Sequence, residues 1–223
     1  MKSRRHCSGC HTGGVPAKRP IPRVLEGSRI RLVPLTTDDL PELFGALHTR
    51  EVYAGGWGGG PAGFQATEAE FVAWGRTAFD WDQNVYGARL IGGPDDGVLV
   101  GTSTLCDFDE TAEHAHIGFT AWDPRVWATA VNPEAKLLML REAFDHGFGR
   151  VKLQADERNA RSRAAIAKLG ATFEGIARRD RLRADGSWRD TAIFSILIDE
   201  WPAVRAGLEE RLQALGDRPI TLD

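Results

Sequence analysis

The stretch DPRVWATAVNPEAKLLML, from Asp123 to Leu140, constrains the fold more than any other, because proline and small residues lead there into a long apolar run. Asn132 is well placed to cap a helix, with Pro133 at its first position and Glu134 in its positive first turn. We therefore predict a helix over residues 132–148 that follows an open loop. Free backbone N–H groups and the helix dipole at such a start favour an anion, and phosphate groups are the usual ligands.

The rest of the folded part alternates strand and helix patterns. Strands show alternating polarity, and helices show apolar residues three or four positions apart. Strands are predicted at residues 29–35, 84–91, 97–108, 114–122, 150–156, 172–181 and 188–197. Helices are predicted at residues 36–48, 67–81, 132–148 and 159–170, and over a closing apolar stripe of Trp201, Val204, Leu208, Leu212 and Leu215. This order favours an α+β fold around one mixed sheet.

The segment AGGWGGGPAG, from Ala54 to Gly63, is too rich in glycine to form a regular element. We expect a mobile loop there. Such a loop is either a plain connector or a lid over a substrate, and the composition leaves both meanings open.

Charge and composition limit the location and the partners. The 223-residue chain has a formal net charge of −3, which argues against nucleic acid as a main partner. Residues 1–23 hold six Lys or Arg and no Asp or Glu, and predict a disordered basic arm before a single domain at 24–216 and a tail at 217–223. The apolar runs are shorter than a membrane span, and no secretory signal is found, so we expect a cytoplasmic protein without membrane contact.

The cysteines suggest chemistry only weakly. Cys7 and Cys10 form a C-x-x-C-H pattern, which is the spelling of a haem attachment site and also supplies two thiolates to a metal. Covalent haem normally requires export, and a closed zinc site needs a second pair of ligands, so we expect an accidental or redox-exposed pair and no metal. Cys106 stands alone in an apolar strand and is interpreted as a buried filler.

Three stretches carry a specific family resemblance: HIGFTAWDPRVWATAVNPEAKLLML, REAFDHGFGRVKLQADERNARSRAAIAKLGATFEG and DTAIFSILIDEWPAV. Together they resemble the GNAT acyl-CoA N-acyltransferases, in particular the RimJ/RimL-like branch of ribosomal-protein N-terminal acetyltransferases. The resemblance runs from about Leu25 to Leu215. It implies a mixed, mostly antiparallel seven-stranded sheet flanked by helices, acetyl-CoA as co-substrate, and a homodimer.

The resemblance also implies where acetyl-CoA binds. The family's phosphate loop reads Q/R-x-x-G-x-G/A, and here Ala128 replaces its first glycine. Alanine costs little in a helix-like backbone but weakens binding if the position needs a positive φ. The alternative is a merely well-capped helix. The implied cofactor-binding residues are Trp122, Arg125, Val126, Trp127, Ala128, Thr129, Ala130, Asn159, Arg161 and Ser162.

The second family motif, N-x-R-S, matches Asn159, Arg161 and Ser162. The resemblance implies that Asn159 holds the pantetheine arm and that Ser162 lies near the thioester sulfur as a hydrogen-bond donor, with a catalytic role. Asn159 is also well placed to cap the following helix, and both roles are compatible.

His116 is the candidate general base. Many relatives have a glutamate before the IG of the fourth strand, whereas this chain has His116 in HAHIGF. An imidazole with a pKa of about 6.5 can take a proton from an amine, although an isolated strand histidine is more often structural. Alternation places His114 and His116 on one face. The nearby carboxylates are interpreted as a solvated turn rather than a catalytic dyad: Asp107, Asp109, Glu110 and Glu113.

Two functions follow from these residues. The first is transfer of an acetyl group from acetyl-CoA to a primary amine, by direct attack in a ternary complex. The amine is a protein N-terminus or a small-molecule amine, and the residues do not choose between them. The alternative is a non-catalytic acyl-CoA-binding or interaction module, suggested by Ala128 and His116 together.

Overall fold

The predicted strands and helices assemble around one sheet in the computed structural model, which describes residues 16–222. The strands are Leu25–Glu26 (β1), Ile30–Pro34 (β2), Asn84–Leu90 (β3), Leu99–Asp109 (β4), His114–Trp122 (β5), Arg150–Asp156 (β6), Thr172–Leu182 (β7) and Trp188–Leu197 (β8). The α-helices are Leu40–Leu47 (α1), Arg50–Ala54 (α2), Glu68–Ala78 (α3), Val131–Asp145 (α4), Ala160–Ala167 (α5) and Trp201–Ala214 (α6). None of these helices is long and apolar enough to span a membrane.

The sheet confirms the predicted α+β class. Its strand order is β1-β2-β3-β4-β5-β6-β8-β7, and every neighbouring pair is antiparallel except β5 and β6, which are parallel. The described residues hold eight strands, so the predicted number of seven is wrong. The additional strand, β1, pairs Leu25 with Leu32 and Glu26 with Arg31. Two residues are too few to show an alternating pattern, which is why the sequence did not reveal it.

Strands β5 and β6 part halfway along their length. Their pairing runs from His114 opposite Arg150 to Ile117 opposite Leu153 and then stops, although both strands continue. On its other side, β5 has one residue more than β4 between residues 118 and 121, which is a β-bulge. Phe119 lies in this bulge with a φ of 50°. The bulge turns β5 away from β6 and opens a cleft in the sheet.

Helix packing covers both faces of the sheet. Helices α4 and α6 pack on one face, where Phe144 and Trp201 stack with their ring centroids 5.2 Å apart. Helices α1 and α3 pack on the other face around Leu43 and Phe71. The predicted stripe of α6 is buried except for Leu215, which follows the helix end and is 45% exposed.

Two helix predictions need correction. Helix α4 begins at Val131, and Asn132 does not cap it, because Asn132 Oδ1 accepts the indole N–H of Trp122 at 3.0 Å. The same helix ends at Asp145 rather than 148, since Gly147 follows with a φ of 81°. Helix α3 ends at Ala78 rather than residue 81, because the next residue already has an extended backbone.

The chain ends pack on the domain where the structure describes them. Lys18 N–H donates to His146 O at 2.9 Å, and Arg23 pairs with Glu142 at 2.6 Å. Packed residues therefore precede residue 24, where the domain was predicted to start. In the predicted tail, Leu222 N–H donates to an Asp95 carboxylate oxygen at 3.0 Å. The Cys7/Cys10 pair and the rest of the predicted arm lie outside the described residues.

Candidate functional site

Two cavities meet where β5 leaves β6. The larger has a volume of about 610 Å³ and lies between β5, the loop before α4, and α5. The smaller has a volume of about 390 Å³ and lies between β4, β5, the glycine-rich loop and the β7–β8 hairpin. Both are lined by Gly118, Phe119 and Thr120 of β5 and by Ser162 at the start of α5. The parted strands therefore form a passage with one compartment on each side.

Most of the predicted cofactor-binding residues line the larger cavity. Arg125 and Ala130 do not. The Arg125 guanidinium turns back to Asp123, with Nη2 2.6 Å from Oδ2, and Ala130 is buried in the core. The predicted residues that line the larger cavity are Trp122, Val126, Trp127, Ala128, Thr129, Asn159, Arg161 and Ser162.

The loop before α4 opens the helix start to the larger cavity. No side chain caps the helix at Ala130, while Thr129 Oγ1 donates to Val126 O at 2.6 Å and holds the loop. Ala128 has a φ of 61°, which is the left-handed region that favours glycine. Alanine in this conformation costs about 1–2 kcal/mol. The site thus keeps the backbone shape of a glycine loop with an alanine in it.

Arg161 and Trp127 close one side of the larger cavity. The Arg161 guanidinium carbon lies 3.5 Å from the centroid of the Trp127 ring, a cation–π contact between α5 and the loop. Burial lowers the pKa of Arg161. Trp127 is itself held by its indole N–H, which donates to Trp122 O at 2.9 Å. This arrangement places a cation beside the open helix start, where an anion is favoured.

Asn159 caps the start of helix α5, as the sequence predicted. Its Oδ1 accepts the N–H of Ser162 at 2.9 Å, and its Nδ2 donates to Gly55 O at 2.6 Å. The amide side chain therefore ties α5 to the glycine-rich loop. Ser162 lines both cavities and lies at the passage between them.

His116 lines the smaller cavity and is held by a carboxylate. Its Nδ1 lies 2.9 Å from Asp107 Oδ2, while its buried Nε2 has no hydrogen-bond partner in the described part of the chain. The interpretation of Asp107 as part of a solvated turn was wrong, because the turn is made by Asp109, which accepts the N–H of Thr111 at 3.0 Å. Asp107 escaped notice because a β-bulge between β4 and β5, with a φ of 51° at Asp107, turns it toward the histidine.

The electrostatics leave the His116 ring ready to accept a proton. Burial lowers the pKa of His116 below its usual 6.5, and the bond to Asp107 opposes this without reversing it. The same bond lowers the pKa of the Asp107 carboxyl to about 2. At neutral pH the pair is therefore a neutral imidazole oriented by a carboxylate. Gly118 makes room for the ring, since a Cβ there would lie 2.7 Å from His116 Cε1.

Cys106, Asp107 and His116 also form a possible metal-binding group. Their ligand atoms lie within 4.8 Å of one another. Burial raises the pKa of the Cys106 thiol to about 12, which disfavours the thiolate that binds metal ions. The geometry therefore resembles a metal site, whereas the protonation of the thiol works against one.

Lys136 is a site residue that the sequence reasoning missed. Its Nζ is buried below the β5 bulge and donates to Ser103 Oγ at 2.9 Å and to Thr120 Oγ1 at 2.7 Å. Burial lowers the pKa of this lysine to about 7. The available signal was a single lysine inside the apolar run EAKLLML. Lys136 links α4 to the point where the two cavities meet.

The glycine-rich loop forms a wall of the smaller cavity. Trp57 at its centre donates its indole N–H to Phe119 O at 3.4 Å and packs against Trp74. Gly59 O accepts the N–H of Ala184 at 3.1 Å, which joins the loop to the β7–β8 hairpin. Gly58 has a φ of 61°, so the tight course of the loop depends on glycine. The loop is thus more than a plain connector, and its use as a lid stays a prediction.

Comparison with known proteins adds to this geometry. Residues 29–172 match the family model described as acetyltransferase (GNAT) domain. No protein of curated function matches the chain.

Several solved structures share the fold over most of the chain. A GCN5-related N-acetyltransferase from Brucella melitensis is 28% identical over 90% of each chain, with a TM-score of 0.78. A protein from T. thermophilus described as an acetyltransferase is 31% identical, and the match covers 87% of this chain and 100% of that one, with a TM-score of 0.74. Mycobacterium smegmatis RimJ, solved with CoA-disulfide, is 19% identical over 90% of this chain and 95% of its own, with a TM-score of 0.65. At that identity RimJ shows the shared fold alone.

Proposed function

Since the chain belongs to the GNAT acetyltransferase family, we propose that it transfers an acetyl group from acetyl-CoA to a primary amine by direct attack in a ternary complex. The proposed acceptor is the amine of a protein N-terminus or of a small molecule. The observation that carries the proposal is the passage between the parted strands, which joins a cavity with a helix start to a cavity with a carboxylate-held histidine. Each compartment suits one of the two substrates.

The larger cavity suits acetyl-CoA. The start of α4, where Thr129 Oγ1 accepts only the Val131 N–H at 3.3 Å, and the Arg161 side chain favour the negatively charged phosphates. From Gly118 onward, the edge of β5 that faces β6 has no strand partner within residues 16–222. An extended chain with amide groups, such as pantetheine, can pair with such an edge. The thioester would then reach the passage, where Ser162 lies.

The smaller cavity suits the attacking amine. An amine attacks a thioester only when neutral, so a proton has to leave it before or during the reaction. His116 supplies a neutral ring nitrogen, and Asp107 fixes the tautomer in which Nδ1 carries the proton and Nε2 accepts. Ser162, which lines both cavities, would donate a hydrogen bond to the departing sulfur. In this proposal His116 and Ser162 are the catalytic residues, and Asp107 is a positioning residue.

We also propose three further properties that the family resemblance implies. They are membership of the RimJ/RimL-like branch, a cytoplasmic location where acetyl-CoA is available, and a homodimer. The fold shared with RimJ is compatible with the first of these.

The test is amine-dependent release of free thiol by the purified protein with acetyl-CoA and a panel of primary amines. We expect one mole of N-acetylated product for each mole of CoA released. Binding of acetyl-CoA without release of CoA for any amine, including peptides with free N-termini, would instead support the non-catalytic alternative.

A further inference from the structure

Three arginines line the smaller cavity, and one of them is held by close hydrogen bonds to a carboxylate. Arg183 donates to Asp156 Oδ2 through Nε at 3.1 Å and Nη2 at 2.7 Å. Its Nη1 donates to Trp188 O at 2.7 Å. These bonds hold the β7–β8 hairpin on the end of β6. They occupy the Arg183 guanidinium with protein groups, so it is not available to a ligand.

The other two arginines, Arg181 and Arg189, face each other directly across β7 and β8. Like charges at opposite positions of an antiparallel pair destabilise it. Among the described residues the Arg189 side chain has no hydrogen-bond or salt-bridge partner, and its Nε is buried without one. Burial lowers the pKa of Arg189, the Asp156 and Asp180 carboxylates oppose this shift, and the charge of Arg181 adds to it. Arg181 forms a salt bridge with its chain neighbour Asp180, with Nε 3.7 Å from Oδ2, and its side chain is 55% exposed. The hairpin therefore carries a cation pair in which Arg189 has no direct carboxylate partner among the described residues.

Two of the three carboxylates that line the cavity are bonded to other side chains. Asp107 is bonded to His116, and Asp156 to Arg183. Asp80 is exposed, and its Oδ1 accepts the N–H of Asp82 at 3.1 Å. Arg181 and Arg189 lie on the hairpin wall of the cavity, and the positive charge of Arg181 lowers the pKa of the His116 ring. An anion bound at this wall would lie within a short distance of the proposed base.

We infer that the amine acceptor is a small molecule that also carries a carboxylate, which Arg189 and Arg181 hold while the amine faces His116. This inference rests on the proposed function and narrows its acceptor. A guanidinium offers paired N–H donors that match the two oxygens of a carboxylate. A cavity of about 390 Å³ is large enough for an amino acid. The carboxylate would also remove the repulsion between the two arginines.

The experiment compares acceptors that differ only in the anion: an α-amino acid, its primary amide, and the amine that lacks the carboxyl group. The carboxylate of the acid raises the pKa of the amine relative to the amide, so the free acid is intrinsically less reactive than its amide near neutral pH. We expect kcat/KM to be about tenfold or more higher for the acid than for its amide. Preference for diamines, which Asp80 would favour, or for peptides over the free acid would overturn the inference.

Variants connect the preference to the residues. Arg189→Gln should bring the ratio of acid to amide close to one, mainly by lowering kcat/KM for the acid. Arg189→Lys keeps the charge and should retain part of the preference. Arg178→Gln is the matched control, because Arg178 is exposed on the same hairpin and does not line the cavity. An unchanged ratio in Arg189→Gln, with an unchanged melting temperature, would contradict the inference.

Binding without turnover separates this inference from the proposed function. The N-acetylated acid and its amide are titrated into the protein–CoA complex by calorimetry. Selective binding of the acid that Arg189→Gln abolishes supports the carboxylate site even if no amine releases CoA, in which case the proposed function alone fails. Turnover without preference for the acid leaves the proposed function standing and overturns the inference. If the protein shows no turnover and no selective binding of the acid, both the proposed function and the inference are overturned.

Discussion

The two cavities are built in different ways. The larger takes most of its wall from two continuous segments, residues 122–133 and 159–169, each at the start of a helix. The smaller collects side chains from six segments, at residues 55–59, 78–83, 104–107, 116–120, 154–162 and 181–189. The larger cavity therefore depends mainly on backbone groups, and the smaller on a few side chains brought together by the fold. We therefore expect substitutions in the smaller cavity to change mainly turnover, and substitutions in the larger cavity to change mainly acetyl-CoA affinity.

The largest effect is expected at His116 in the smaller cavity. His116→Gln should lower turnover by about 100- to 10,000-fold, because the general base is lost. The dissociation constant of acetyl-CoA should hardly change, since His116 does not line the larger cavity. Steady-state kinetics and calorimetric titration of acetyl-CoA measure both quantities.

The pH profile sharpens this prediction. Because burial lowers the pKa of His116, the ring is neutral at pH 7, and the advantage of the wild-type protein should be lost only as the pH falls through that lowered pKa. If the variant matches the wild-type turnover from about pH 6 to 9, His116 is not the base. His114→Gln is the control, because His114 is the exposed neighbour on the same strand.

Lys136, where the cavities meet, should dominate the pH dependence of stability. Its pKa is about 7 in the folded protein against 10.5 for a free lysine, so between these values the unfolded state binds more protons. The free energy of unfolding of the wild type should then rise with pH, relative to Lys136→Met, by up to about 1.4 kcal/mol per pH unit. Urea titrations at several pH values measure this slope.

The exposed Lys18 provides the matched control. Lys18→Met should follow the wild type at every pH. A Lys136→Met protein with the same pH slope as the wild type would show that this lysine is not buried as described.

A smaller effect is expected at Asn159, which belongs to both cavities. Asn159→Ala removes the cap of α5 and the bond to Gly55, and should cost about 1 kcal/mol of stability. Acetyl-CoA affinity should fall by about tenfold, because the start of α5 forms part of the larger cavity. Asn159→Asp keeps the oxygen that accepts from Ser162 and should recover the part of the stability that comes from the cap, but not the bond to Gly55 O, as thermal denaturation can show. Unchanged acetyl-CoA affinity in Asn159→Ala would show that Asn159 of the N-x-R-S motif does not contribute to acetyl-CoA binding.

The smallest effect is expected at Ala128 in the larger cavity. Alanine in the left-handed region at position 128 costs about 1–2 kcal/mol of stability, and Ala128→Gly removes this cost. The greater conformational freedom of glycine in the unfolded chain offsets part of the gain. Stability should therefore change little, while the loss of the methyl group should tighten acetyl-CoA binding about threefold to tenfold. Thermal denaturation and calorimetry test the two statements. Weaker binding of acetyl-CoA by the glycine variant would contradict the role given to this loop.

The same difference decides how much the sequence could reveal. Most of the wall of the larger cavity was predictable, because the motifs at residues 125–130 and 159–162 are continuous in sequence and lie at helix starts, although Arg125 and Ala130 do not line it. Most strands were predictable from alternation, as the match of β8 to the predicted range 188–197 shows. The smaller cavity was not, since Asp107 reaches His116 through a bulge and Arg181 meets Arg189 only through strand register. Nothing in the local pattern marks such contacts.

The most direct test of the account is the melting temperature of the pure protein with and without acetyl-CoA. A ligand present at 100 times its Kd stabilises the folded state by about 2.7 kcal/mol, so a clear upward shift is predicted. This result would show that the loop at residues 125–130 accepts the cofactor phosphates with Ala128 in place. No shift at millimolar acetyl-CoA would contradict the assignment of the larger cavity and leave the family fold without its family ligand.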